Sequence, residues 1–339
     1  QLMMASVGSN NLKRNRKISF MGILRKFGPN NIENSSLCFG TMQFGDGADE
    51  RDSQEMYEAC RAEGINFFDT AYVYTSGQSE LILGNLIKNE REKLILVTKA
   101  GSVGGSSGGN IRSQLEQSLK RLNQDYVDVF FLHHWDNNVP LEETFKTLSE
   151  LKEEKKFFQL GVSNFSAWQI MKAELIAEKN GFPSIDILQP MYNLVKRQAE
   201  VEILPMAKSE NIGVISYSPL GGGLLTGKYA LNNSSNKNTV GRLHENSKYK
   251  TRYGQSWMYE AAHTLQNLGR DLNQNPISLA VAWVSYNDAI TAPIISARNI
   301  KQLKPSLDSI NISLDHETYK LISNISPTPP PATDRLEEV

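Results

Sequence analysis

Eight short β-rich runs alternate with amphipathic helical stretches through most of this chain, and that alternation limits its fold more than any other feature. The strand runs fall at 37–42, 66–70, 94–100, 127–133, 159–164, 185–191, 214–220 and 291–297. Helical patterns lie between them at 53–63, 79–89, 111–122, 142–155, 167–179, 201–210 and 259–272. Strands that alternate with helices pair in parallel through right-handed crossovers. Eight is the number that closes such a sheet around a filled interior. The expected fold class is therefore α/β, a (β/α)8 TIM barrel, with a doubly wound open sheet as the rival. Residues 19–33, with turn chemistry at Gly28-Pro29-Asn30-Asn31, read as a β-hairpin ahead of the first barrel strand.

The ends of the strands carry unusual chemistry. In the stretch 68–80, Asp69 and Tyr74 follow an apolar run, five residues apart. Lys99 closes the next run and His133 the one after it. Four groups able to move or steer a proton thus share one end of three successive strands, and in a parallel barrel that end is the catalytic face. Two long loops, 101–109 (five glycines and three serines) and 231–256, leave strands on the same side, where they shape a substrate site. A Pro-rich tail, 326–339, follows the barrel at 18–325, and 1–17 is an N-terminal extension to whose first ten residues no function is given.

Composition narrows the function. The 36 Lys and Arg against 37 Asp and Glu leave a net charge of −1, which gives nucleic acid or an anionic membrane no basic surface to grip. Cys38 and Cys60 both sit in apolar patterns, so buried free thiols in a reducing compartment are expected and a disulfide scaffold is excluded. The basic stretch 13–17 precedes a short apolar one, but Arg25 and Lys26 close it too early for a secretory signal. No apolar run reaches the length of a membrane span. A cytoplasmic enzyme is the expectation.

A free phenol has a pKa of about 10 and is a poor acid at neutral pH. A cation beside it brings that value down, so Lys99 would tune Tyr74 and Asp69 would orient Lys99. His133 would steady a carbonyl oxygen next to the Tyr74 hydroxyl. That set protonates an oxygen that is becoming an alkoxide, as carbonyl reduction by hydride requires. No side chain donates hydride, so a nicotinamide or flavin is implied. Taken singly each residue has a plainer reading: a packed tyrosine, a surface lysine, a core histidine.

From about Ser19 to Ile325 the chain resembles the aldo-keto reductase superfamily, its bacterial-type branch above all. The resemblance rests on Gly40-Thr41-Met42, on Asp69-Thr70-Ala71 with Tyr74, Gly77, Ser79 and Glu80, on Lys99, and on 125–136 with its Leu132-His133-His134-Trp135-Asp136 run. It continues through Gly161-Val162-Ser163-Asn164, Gln189-Pro190-Met191-Tyr192-Asn193 and 217–229. It implies NADP(H), with NAD(H) as the alternative, bound at the C-terminal ends of the barrel strands. The catalytic tetrad would be Asp69, Tyr74, Lys99 and His133, with Tyr74 as general acid in reduction and base in oxidation. Gly40, Thr41 and Met42 would join the cofactor site with Asp69. Ser163, Asn164 and Gln189 would grip the carboxamide and Tyr217 would lie under the ring. Ser218, Pro219, Leu220, Gly222, Gly227 and Lys228 would form the pyrophosphate loop, with Arg242 as a further partner. Ser296, Arg298 and Gln302 would hold the 2′-phosphate, aided by the start of the following helix. Pro305 and Ser306 stand where the family usually carries the Glu and Asn that contact adenine, and Ser306 keeps one hydroxyl for that task. Tyr74, His133 and Trp135 would line the substrate pocket.

Other signals fail. The run 222–228 nearly spells a P-loop, but Tyr229 stands where a magnesium-binding hydroxyl is needed. No Gly-x-Gly-x-x-Gly occurs, and none of the five histidines has zinc-ligand spacing, so no metal is implied. The reading is an NADP(H)-dependent oxidoreductase acting on a small carbonyl or alcohol. Its alternative is a cofactor-binding regulatory or redox-sensing subunit with little turnover. Nothing marks an interface, so monomer and homo-oligomer both stay open, as do the substrate and the preferred direction.

Overall fold

A computed structural model describes residues 24–229 and 241–338. A short antiparallel hairpin, β1 (Lys26–Phe27) and β2 (Ile32–Glu33), precedes the barrel. Eight parallel strands then close on themselves: β3 (Cys38–Gly40), β4 (Phe67–Asp69), β5 (Ile95–Ala100), β6 (Val127–Leu132), β7 (Phe157–Ser163), β8 (Ile187–Gln189), β9 (Gly213–Ser216) and β10 (Ala292–Ile295). β10 pairs with both β9 and β3, which leaves no edge. The fold is a (β/α)8 barrel with an N-terminal hairpin.

Alternation along each strand divides the apolar residues into two cores. Cys38, Phe67, Ile95, Val97, Val129, Phe131, Ile187, Ile215 and Ile294 fill the barrel. Phe39, Phe68, Leu96, Phe130 and Leu160 point outward under the helices. The hairpin plugs the N-terminal end: the Phe27 ring lies 5.2 Å from Phe67, and Gly28 N donates to Gln159 Oε1 at 2.9 Å. A Cβ at Gly28 would strike Asp128, so only glycine allows the hairpin to dock this closely.

The observed strands are mostly shorter than the apolar runs suggest. The run 214–220 ends as strand at Ser216, since the backbone turns left-handed at Ser218 (φ 61°). β7 starts two residues earlier than expected, directly after the left-handed turn at Lys155. The glycine-rich loop after β5 stops at Ser107, because the helix Gly108–Leu122 begins inside it. In the long loop after β9, Arg242–Glu245 and Ser247–Tyr253 are helical, and 230–240 lies outside the described residues along with 19–23 of the expected hairpin. The pattern also missed the helix Pro276–Tyr286. Its residues 278–284 are all buried, so no polar face marks a helical period, although Asn275 caps it and Pro276 opens it. No helix among the described residues is long and apolar enough to cross a membrane.

Candidate active site

Two-residue periodicity places the chemistry. On β4 the inward residues run Phe67 to Asp69, on β5 Ile95, Val97 to Lys99, and on β6 Val129, Phe131 and then His133 just past the strand. The same parity carries Gly161 to Ser163, Ile187 to Gln189 and Ile215 to Tyr217. Apart from Gln159 at the base of β7, these six rows are apolar inside the barrel and turn polar at the C-terminal end, so six of the residues read from the sequence converge on one mouth.

Lys99 is fully buried, and its ammonium has three partners. Nζ donates to Asp69 Oδ2 at 2.6 Å, to the Thr70 carbonyl at 2.8 Å and to Tyr74 OH at 3.2 Å. Asp69 Oδ1 accepts from Gln189 Nε2 at 2.8 Å, so both carboxylate oxygens are engaged. Burial alone would lower the Lys99 value, but contact with Asp69 and Tyr74 outweighs it and holds the ammonium above its usual range. The expectation that Lys99 draws the phenol down is corrected by burial. Burial pushes Tyr74 up by more than Lys99 lowers it, and Asp69 adds to the rise. At neutral pH both groups keep their protons.

The His133 ring stands edge-on to Tyr74 with centroids 5.9 Å apart, and it stacks flat on His134 at 4.9 Å. Burial, with Lys99 and His134 nearby, pulls the His133 imidazole down to about 2, so it is neutral. A neutral ring offers one N–H donor rather than an acid. Its Nδ1 is buried with no partner among the described residues.

The residues assigned to the nicotinamide carboxamide lie together but satisfy one another. Ser163 Oγ donates to the Gln189 carbonyl, and Asn164 Nδ2 donates to Ser163 Oγ and to the His133 carbonyl. Tyr217 OH donates to Asn164 Oδ1 at 2.7 Å, which fixes the ring across the mouth. Asn164 itself takes the left-handed conformation (φ 60°) that Asn tolerates well.

Beyond Tyr217, Ser218, Gly221, Gly222 and Gly223 all have positive φ and wind into a glycine-rich cradle, in which Gly221 N donates to the Ser218 carbonyl and Gly223 N to the Leu220 carbonyl. A Cβ on Gly222 would lie 2.5 Å from the Tyr249 ring, so the cradle is packed to its limit. Pro219 is buried, Leu220 packs against the core, and Gly227 closes the turn at φ 77°. Lys228 is exposed, with its ammonium 5.1 Å from the Tyr229 ring centroid. The Arg242 side chain lies outside the described residues. Past β10, Ser296 Oγ is buried without a partner among the described residues. Arg298 Nε bonds Gln43 Oε1 at 3.3 Å, its Nη2 meets Glu245 Oε2 at 3.4 Å, and its backbone N–H donates to Gln302 Oε1. The orphaned Ser296 hydroxyl and the Arg298 guanidinium beside a helix start are donors whose chemistry suits a phosphate.

The remaining expected site residues have partners of their own within the protein. Ser306 is buried on the inner side of the helix Ile300–Asp308, two turns from its start, and is not brought to the surface with Arg298. Gly40 serves the barrel wall, since a Cβ there would lie 2.8 Å from Ile294. The Thr41 hydroxyl is spent on the Asp69 carbonyl and Ser79 Oγ, while Met42 is half-buried. Trp135 leans edge-on against Phe165 and Trp168, and its indole N–H donates to Asn137. The Thr70 carbonyl and the Gln189 bond to Asp69 went unread, because a backbone acceptor and an amide donor carry no sequence signal of their own.

Comparison with known proteins agrees with this geometry. Residues 36–327 match the model of the Aldo/keto reductase family. The chain belongs to the aldo/keto reductase family. It is 34% identical over 313 residues to the "Uncharacterized oxidoreductase YrpG" of Bacillus subtilis, covering 87% of this chain and 93% of that one. It is 33% identical over 285 residues to the "Aflatoxin B1 aldehyde reductase member 2" of Rattus norvegicus, covering 79% and 78%. The "Probable voltage-gated potassium channel subunit beta" of Arabidopsis thaliana is 30% identical over 302 residues, covering 85% and 91%. An oxidoreductase acting on carbonyls is what the family supports.

Proposed function

We propose that this aldo/keto reductase interconverts an aldehyde or ketone with its alcohol, using NADP(H), with Tyr74 as the group that gives or takes the proton. The Lys99 contact to Tyr74 OH at 3.2 Å carries the reading, because it sets a charged ammonium behind a protonated phenol at the open end of the barrel. The cofactor would rest on Tyr217, with its phosphates toward the 221–223 cradle and its 2′-phosphate toward Arg298. When bound, a nicotinamide supplies or accepts the hydride.

This chain's own residues do the rest. His133, neutral, donates a hydrogen bond that orients the carbonyl oxygen near the Tyr74 hydroxyl. Tyr74 releases its proton as that oxygen gains charge, and Lys99 steadies the phenolate left behind. Asp69, held by Gln189, keeps Lys99 in place. The relatives named for aldehyde reduction support this direction of use, and the channel-subunit relative supports the alternative of a cofactor-binding regulatory subunit.

NADPH oxidation with 4-nitrobenzaldehyde tests the reading. General acid catalysis is worth roughly 10²–10⁴ in rate, so Tyr74→Phe should lose about that much turnover and keep its NADPH affinity. A Tyr74→Phe variant with most of its activity would make His133 the leading donor. A wild-type protein that binds NADPH and turns over no aldehyde would favour the regulatory alternative.

A further inference from the structure

Tyr74 opens a single kinked 3-10 turn, Tyr74–Gly77, whose backbone departs from helical geometry at once. Directly after it, Thr75, Ser76 and Gly77 have φ of 47°, 55° and 93°, three left-handed residues in a row. Such a path is unfavourable for Thr and Ser and persists only where surrounding groups hold it.

Thr75 Oγ1 donates to the Phe44 carbonyl at 2.8 Å and accepts from Ser79 N, Tyr72 N donates to the Lys99 carbonyl at 3.0 Å, and one guanidinium adds contacts on both sides of Tyr74. Arg121, in the last turn of the helix Gly108–Leu122, donates from Nη1 to the Tyr72 carbonyl at 2.9 Å. Its Cζ lies 4.5 Å from the Tyr72 ring centroid. A Cβ at Gly77 would fall 2.6 Å from the same Cζ, so the guanidinium fills the space that a side chain there would need. Arg121 thus touches the chain two residues before Tyr74 and three residues after it.

The same Nη1 meets Glu80 Oε2 at 3.1 Å, and Glu80 is fully buried. Glu80 Oε1 accepts from Thr98 Oγ1 at 2.6 Å, and Thr98 is the outward neighbour of Lys99 on β5. One ion pair outside the barrel wall therefore ties the Tyr74 segment to the strand that carries Lys99. A buried pair of this kind adds little net stability over apolar packing. Fixed geometry is what a planar guanidinium offers instead: one nitrogen serves both Glu80 and the Tyr72 carbonyl while the plane packs at Gly77 and the Tyr72 ring.

We propose that Arg121 and Glu80 are positioning residues that hold the Tyr74 hydroxyl against Lys99. The proposal rests on the reading of Tyr74 as proton donor, and its test separates the two. Arg121→Met alone leaves the buried Glu80 carboxylate without its cation, so the variants are Arg121→Lys and the double change Arg121→Met with Glu80→Gln. Tyr74→Phe runs beside them. The measurements are kcat and KM for 4-nitrobenzaldehyde with NADPH, the alkaline limb of the kcat profile, NADPH titration and thermal melting.

Arg121→Lys keeps a charge for Glu80 but loses the planar group that fills the space at Gly77 and lies against the Tyr72 ring. It should lower kcat by about tenfold or more, a share of the roughly 10²–10⁴ that a general acid provides. NADPH affinity should hold, and the alkaline limb should move up as the phenol loses Lys99. The double variant should do the same. A folded variant with unchanged kcat and limb, beside an inactive Tyr74→Phe, overturns the clamp and leaves Tyr74 as donor. A kcat loss that appears only with equal losses in melting temperature and NADPH affinity also overturns it. If Tyr74→Phe stays active, the donor assignment falls and the clamp falls with it.

Discussion

Tyr74 and Lys99 both hold their protons at neutral pH, for opposite reasons. Burial disfavours the charged phenolate, whereas for Lys99 burial is outweighed by Asp69 and Tyr74 together, which favour the charged ammonium. The Tyr74 value is raised above an ordinary phenol near 10, so the acid form is complete below that and is lost only as pH rises through the raised value. His133 is pulled down to about 2 and stays neutral across the working range. Reduction by this enzyme should therefore show no limb near pH 6.5, the usual histidine value, and should fall only above about pH 10. A kcat profile taken from acid to alkaline pH checks both points. A limb near 6.5 that disappears in His133→Asn would mean that the imidazole titrates after all. These pKa directions depend on burial, which residue identity alone does not supply.

At the scale of elements, the site depends on how closely two helices pack behind it. Gln78–Ile87 and Gly108–Leu122 meet at Gly84, where a Cβ would lie 2.4 Å from the Leu122 carbonyl oxygen. That neighbour is backbone and cannot turn aside. Gly84→Ala would gain about 1 kcal/mol of helix propensity, yet overpacking costs about 1–3 kcal/mol. The net expectation is a lower melting temperature, read by circular dichroism. An unchanged or higher melting temperature would show that the helix pair can separate without cost. Elements of this kind were readable where one face was polar, as in 111–122. The helix Pro276–Tyr286 was not, since neighbours cover every side of its middle turns.

At the scale of the whole molecule, barrel closure joins the first and last barrel strands. β10 closes on β3, and this brings Arg298 beside Gln43 and Glu245, residues 255 and 53 positions away. A ligand spanning these elements binds only the folded barrel, and at a hundred times its Kd it adds about 2.7 kcal/mol of stability. Saturating NADPH should therefore raise the melting temperature by several degrees, and NADH by less. A hydrogen bond to a charged group is worth about 1.5–3 kcal/mol, so Arg298→Ala should remove most of the difference between the cofactors. Equal shifts for the two cofactors in the wild-type protein would argue against a phosphate grip at Arg298.

Local pattern alone determined the barrel, because alternation of period two with period 3.6 is written residue by residue and eight repeats close a sheet. It also determined which end is chemical, since Asp69, Lys99 and His133 each extend an inward-facing row past the apolar stretch. Tertiary structure decided what that row does. Whether Tyr74 keeps its proton at neutral pH depends on burial, and Ser306 is buried because of the side of its helix that faces the core. That Arg121 stands under Gly77, with Glu80 and Thr98 completing the tie to Lys99, depends on contacts between elements 18 to 49 residues apart. Such contacts leave no periodic trace, because a single buried polar residue looks in sequence like one exception on a helix face.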